Sequence, residues 1–109
     1  MGILFEGKNR YITKGIQERL PINLQMFLWK CIDNKIEQKA ILDYLQVFKI
    51  TKDYDPKYPD QVLLKITHSQ EIPLIEDEYC LQNGFHPGEG TIFVIDDGSA
   101  ATMLWANEY

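Results

Sequence analysis

Lysine and arginine are absent from the last 44 residues, Ile66 to Tyr109. All eleven basic residues lie in the first 65, beside eight of the sixteen acids. The halves therefore carry +3 and −8, which sum to the net −5 of the chain. An anionic half is a poor surface for DNA or RNA phosphates and a suitable one for a cationic protein or a metal ion. Cysteine is scarce: Cys31 and Cys80 stand 49 positions apart, with no disulfide framework around them. They read as small buried hydrophobes in a reducing cytoplasm, and no leader segment is expected. No apolar run approaches the roughly 20 residues that a membrane-crossing helix needs, so no membrane partner is expected. The Gly-x-Ser-x-Gly elbow and the Gly-Lys-Ser/Thr phosphate loop are both missing, which removes the usual hydrolase and nucleotide-binding signatures.

What is present suits one globular domain spanning residues 1–109, with 45% apolar and 25% charged residues. Arg10 to Lys14 alternates as a first strand, with Gly15 at its end or in a bulge. Pro21 suits the first turn of a helix. Leu24, Phe27, Leu28, Cys31 and Ile32 then follow the helical period, with Asn34 as a plausible end and Lys39 as the furthest continuation. Burial of that stripe contributes on the order of 10 kcal/mol as an upper estimate. Leu42 to Ile50 reads as a strand in which Gln46 shares the apolar parity, and a helical start through Leu45 competes with it. Thr51 to Pro59 reads as a polar connection. Gln61 to Gln70 alternates, with Val62, Leu64, Ile66 and His68 on one face. Glu78 to Leu81 is a further short strand, and Asn83 to Gly90 a glycine-rich loop. Thr91 to Ile95 is a strand whose residues Ile92 to Ile95 are apolar on both parities, so it is expected to be central and covered on both faces or nearly so. Asp97-Gly98 joins it to Ala101–Ala106 through a type I′ turn. The order β-α-β-β-β-β-β predicts an α+β fold. Its sheet is mostly antiparallel, of about five or six strands, with one main helix packed on one face.

Five groups of residues could carry chemistry. Asp96-Asp97 pairs carboxylates at a turn, but lacks the alternating ligands of a calcium loop. His68-Ser69-Gln70-Glu71 holds a histidine, a hydroxyl and a carboxylate. Strand alternation sends His68 and Ser69 to opposite faces, so a hydrogen-bonded histidine at the core edge is the simpler expectation. In the loop Gly84 to Gly90 no helix follows to complete a phosphate cradle, and His86 with His68 has no supporting ligand spacing. At the C-terminus Met103, Trp105 and Tyr109 share a parity. They are a binding surface if exposed and core if buried, and burial of Trp105 is favoured. Lys8, Arg10, Lys14 and Arg19 form the one basic cluster, weak for nucleic acid in a chain of net −5.

Several segments together resemble a small bacterial family. They are Arg10-Tyr11-Ile12-Thr13, Leu24 to Trp29, Leu42 to Phe48, Ile66 to Pro73, Phe93 to Gly98 and Thr102-Met103-Leu104. The family is the one of unknown function numbered 960, found in Firmicutes and often on their mobile elements. The resemblance spans nearly the whole chain and implies a stand-alone single-domain protein from a Gram-positive host. It brings no activity, cofactor or catalytic residue.

The sequence thus leads to a non-enzymatic module that binds another protein with a basic surface. The contact would be the acidic C-terminal half, with Glu76, Asp77 and Glu78 as its densest run, or a sheet edge; Trp105 and Tyr109 are the aromatic candidates. A small-molecule binder or enzyme using His68, Glu71 and Asp96 is the alternative, and it requires those side chains to converge. Nucleic acid through the basic cluster comes third. No cofactor or metal is called for, and an exposed sheet edge would make a homodimer easy.

Overall fold

Period-two alternation needs a cover for one face of every strand, and two helices supply it on the same side. The computed structural model describes residues 4–82 and 87–109. The elements are β1 (Asn9–Ile12), α1 (Lys14–Arg19), α2 (Ile22–Glu37), β2 (Leu45–Asp55), β3 (Tyr58–Gln70), β4 (Ile75–Gln82), β5 (Gly90–Asp96) and β6 (Ala100–Trp105), closed by a 3-10 turn at Ala106–Glu108. The strands form one six-stranded sheet in the order β1-β6-β5-β2-β3-β4. Every pairing is antiparallel except β1 with β6. The fold is α+β, with α2 as its one main helix. The edge strands are β1 and β4, and β5 lies inside the sheet as its composition predicted, although no described helix covers its second face.

Ile16 and Leu20 of α1, with Leu24, Leu28, Cys31 and Ile32 of α2, bury against Phe48, Ile50, Leu64, Ile66, Ile92, Val94, Met103 and Trp105. The helical stripe read from the sequence is this face. Pro21 stands one residue before the helix, at its N-cap, where its carbonyl accepts from Leu24 and Gln25 at 3.0 and 3.1 Å. The helix continues past Asn34. It ends with Lys39 N–H bonded to Ile36 O and Ala40 N–H to Lys35 O, the paired bonds of a Schellman motif.

Three local expectations are corrected. The segment after β1 is helix rather than strand or bulge: the Thr13 hydroxyl caps α1 by accepting from Ile16 N–H at 3.3 Å, and Gly15 lies inside the helix. Thr51 to Pro59 is a hairpin, with β2 running to Asp55 and β3 starting at Tyr58. Pro56 forms the turn itself, Asp55 Oδ1 accepts from Lys57 N–H at 2.9 Å, and Pro59 falls in the stretch where the register shifts, so neither proline interrupts regular pairing. The β5–β6 turn is not type I′, because Gly98 has a positive φ of 99° and Asp97 does not. There the Asp97 carboxylate accepts from the Ser99 and Ala100 N–H groups, each at 2.9 Å, and holds the turn in place of a backbone carbonyl.

The chain end locks onto the start of α1. Glu108 Oε1 accepts from Thr13 Oγ1 and from Trp105 N–H, both at 2.8 Å, while Trp105 Nε1–H donates to Gly15 O at 3.0 Å. A Cβ on Gly15 would stand 2.6 Å from that carboxyl group. Gly15→Ala displaces that carboxyl from Thr13 and Trp105, so it stabilises by less than the about 0.5–1 kcal/mol that the helix preference of alanine otherwise contributes. In a Glu108→Ala background the same change contributes that preference in full. Urea denaturation of the four proteins measures this difference, and equal effects in both backgrounds would contradict the lock.

Candidate functional site

Sheet register separates the polar residues that the sequence placed in one list. On the helix-covered face, one row crosses the sheet as Trp105, Ile92, Phe48, His68 and Asp77. His68 is 2% exposed and its ring stacks on Phe48 at 4.2 Å between centroids. Gln46 Nε2 donates to Asp43 O at 2.9 Å and to Gln70 Oε1 at 2.8 Å. Gln46 Oε1 is therefore left to accept, and it takes the His68 Nε2–H at 2.7 Å. Gln70 Nε2 donates in turn to Ile41 O and Pro73 O, both at 2.9 Å. This buried chain ties the α2–β2 loop to the β3–β4 turn. The parity of Gln46 pointed inward in the sequence, but its partners, 22 and 24 positions away, did not show there.

His68 Nδ1 is buried without a hydrogen-bond partner. Lys35 pairs with Asp77 beside it. The space lined by Lys35, Gln46, His68, Ser69, Gln70 and Ile75 has no room for a water-sized group. Burial, reinforced by the Lys35 charge and opposed by Asp77, lowers the His68 pKa to about 4. The imidazole is thus neutral at pH 7.

Asp96 lies elsewhere. Its N–H bonds to Tyr44 O, which puts it two strands and four residues from His68, roughly 16 Å at about 4.8 Å between strands and 3.3 Å per residue. Its carboxylate is buried and accepts from Phe5 N–H and Gly98 N–H, each at 2.8 Å, and from Lys8 Nζ at 3.1 Å. Burial alone would raise its pKa, but these donors outweigh it and the pKa is lowered. Glu71 is exposed in the β3–β4 turn. His68, Glu71 and Asp96 do not converge, and Asp96 staples the N-terminal segment to the sheet. Burial raises the Cys31 thiol to about 11, which removes it as a nucleophile near neutrality. Cys80, also expected to be buried, is exposed because it lies on the outer face of edge strand β4. Among the described residues, no three histidine, cysteine or acid side chains are placed to hold a metal ion; His86 lies outside them.

Trp105 is 2% exposed and Met103 is buried, so no exposed Met/Trp/Tyr stripe exists. Trp105 lies under the Arg19 guanidinium, 4.3 Å above its ring, whereas Tyr109 is 83% exposed with its ring edge-on to Phe93. Glu76, Asp77 and Glu78 are on edge strand β4. Glu76 and Glu78 point out and Asp77 points towards α2. The cluster Lys8, Arg10, Lys14 and Arg19 is engaged within the molecule: Lys8 with Asp96, Arg10 with Asp33 and over Trp29, Lys14 with Glu18, Arg19 over Trp105.

The feature that sequence reading missed is the opposite face of the sheet. Leu104, Phe93 and Val47 are direct neighbours across three strands, and Ile95 and Leu45 form the next row, continued by Thr102 and Tyr11. Phe93, Val47, Ile95 and Leu45 are half-buried, and no described helix covers them. Beyond β2 the same face turns polar, with Lys49, Thr67 and Glu78 in one row and Ser69 and Glu76 in another. The double apolar parity of Ile92 to Ile95 was the available signal, and it was read as cover on both faces.

His68 supplies a pH test. A folded pKa near 4 against 6.5 for a free imidazole favours the neutral ring. The associated stability is complete above pH 6.5 and is lost as pH falls towards 4. Its size is at most about 3 kcal/mol. Urea midpoints at pH 7 and 4.5 should differ more for the wild type than for His68→Gln, and equal differences would show that His68 does not titrate this way.

Comparison with known proteins gives the fold and the family without an activity. The structure resembles a crystal structure titled as a protein of unknown function from Enterococcus faecalis. The TM-score is 0.79 at 24% identity, covering 100% of this chain and 97% of the other. No curated protein matches. No described helix is long and apolar enough to cross a membrane. Residues 9–108 match the model of a family described as "Staphylococcal protein of unknown function (DUF960)", and the chain belongs to that family.

Proposed function

We propose that the protein is a binding module for another protein, docking through the uncovered face of its sheet onto an apolar knob with a basic rim. The half-buried neighbours Phe93 and Val47, with Ile95 and Leu45 in the next row, carry this reading. Antiparallel sheets with one solvated face normally alternate apolar-in and polar-out, so a contiguous apolar patch on the outer face calls for a cover. Tyr11 and Tyr109 stand at its border, each with an apolar ring and a polar tip suited to an interface rim. The basic rim is chosen for charge. On the polar side of this face, Glu76, Glu78 and Asp53 outnumber Lys49 and Lys65. Rim charges of this kind steer association more than they hold the complex together.

The test is capture from the lysate of a Gram-positive host at low salt and at about 0.5 M, where the screening length falls to a few ångströms. Wild type, Phe93→Glu, Val47→Lys and the pair Glu76→Lys, Glu78→Lys serve as baits, with circular dichroism confirming that each is folded. The wild type should retain a partner that both central variants lose by at least tenfold, as expected for truncated or charged hot spots. The rim reversal should weaken capture chiefly at low salt. A partner held equally by all four baits, or no partner at either salt, would overturn the reading.

A further inference from the structure

A second site stands apart from the sheet face and does not depend on it. Where α2 ends and the chain turns towards β2, a cleft of about 430 Å³ opens between Leu4, Ile36, Lys39, Ala40, Ile41 and Leu42. That volume lies within the roughly 300–1,000 Å³ of small-molecule sites. Five of the six lining residues are apolar. Leu42 belongs to the core and Leu4, Ile36 and Ala40 pack against it, so the floor is continuous with the protein interior. Ile41, at the rim, is 74% exposed.

Two observations specify the chemistry. First, two amides and three carbonyls of the backbone around the cleft are already engaged. Ile36 O accepts from Lys39 N–H and Lys35 O from Ala40 N–H, while Ile41 O accepts from Gln70 Nε2. A peptide in extended form brings its own amides and needs partners for them; a hydrocarbon chain needs none. Second, the cleft has one charged group, Lys39, and it occupies an unusual place. Its φ is 58°, the left-handed position after a helix that glycine or asparagine normally fills. Lysine there gives up backbone comfort and sets a cation at the mouth of an apolar cleft. Among the described residues no carboxylate lies within ion-pair distance of it.

We propose that this cleft binds a small amphiphilic anion, an aliphatic carboxylate, with its alkyl chain along Leu4, Ile36, Ala40, Ile41 and Leu42 and its head group on Lys39. A single negative charge is favoured over a polyanion because the chain as a whole carries −5.

The probe is sodium decanoate, added to the full-length protein below its micelle concentration and followed by amide chemical shifts. Decyltrimethylammonium serves as the control of opposite charge. Decanoate should shift the amides of Ile36 and Lys39 to Leu42 in a saturable manner, and the cationic amphiphile should bind at least tenfold more weakly. Lys39→Glu should weaken decanoate at least tenfold. Lys39→Gly removes the left-handed strain, so it should melt no lower than the wild type and yet lose affinity by a similar factor, which separates binding from folding. Three results would overturn the proposal: no saturable shift at these residues, equal binding of the two amphiphiles, or unchanged affinity in Lys39→Gly, which would leave Lys39 as a helix-end charge alone. Protection of the cleft by a captured protein partner, with no decanoate effect, would likewise assign it to a macromolecule.

Discussion

The row formed by Trp105, Ile92, Phe48 and His68 is the constraint on which the rest of this molecule depends. Four adjacent strands contribute one side chain each, in direct register, to the surface on which the helices rest. A slip of one residue in any of these pairings would turn that strand's apolar set outward, so burial of this face fixes every register at once. Its two ends are held by different chemistry. Trp105 is anchored through its indole N–H to the first turn of α1, and His68 through its ring N–H to Gln46.

That second anchor gives the buried polar groups a structural reason. A histidine and two glutamines under a helix would be destabilising if left unpaired, because each buried amide or imidazole loses its water. Here each finds a partner in the next, and the chain ends on the carbonyls of Ile41 and Pro73. The outcome is a fixed spacing between two loops at one end of the sheet. The cleft beside Lys39 uses the first of them as a wall. The neutral His68 is a positioning element, stacked on Phe48 with a closed space around it, and its chemistry is that of a hydrogen-bond donor.

The two faces of the sheet differ in how they are covered. The helix-covered face uses most of the large apolar residues and so accounts for the fold. On the other face no described helix lies over Phe93, Val47, Ile95 and Leu45, and the polar margin ends on the acids of β4. Charge on an edge strand also discourages pairing with a second sheet. The same acids can thus protect the edge and border the docking surface proposed above.

Much of this was legible in the sequence, for local reasons. The spacing from Leu24 to Ile32 specifies α2, and the alternation from Leu64 to His68 specifies which face of β3 is buried, because both periods follow from backbone geometry. Asp97-Gly98 marked the last hairpin correctly but not its turn type, since a side-chain carboxylate took over the bond that a type I′ backbone would make. Thr51 to Pro59 was misleading because prolines at a turn and at a register shift resemble a loop locally. What only the tertiary structure decided is which residues meet. Strand order set His68 apart from Asp96 and placed β1 and β4 at the edges, and it joined Leu104, Phe93 and Val47 into one patch. Such neighbours depend on pairings between distant segments, which composition and periodicity do not encode.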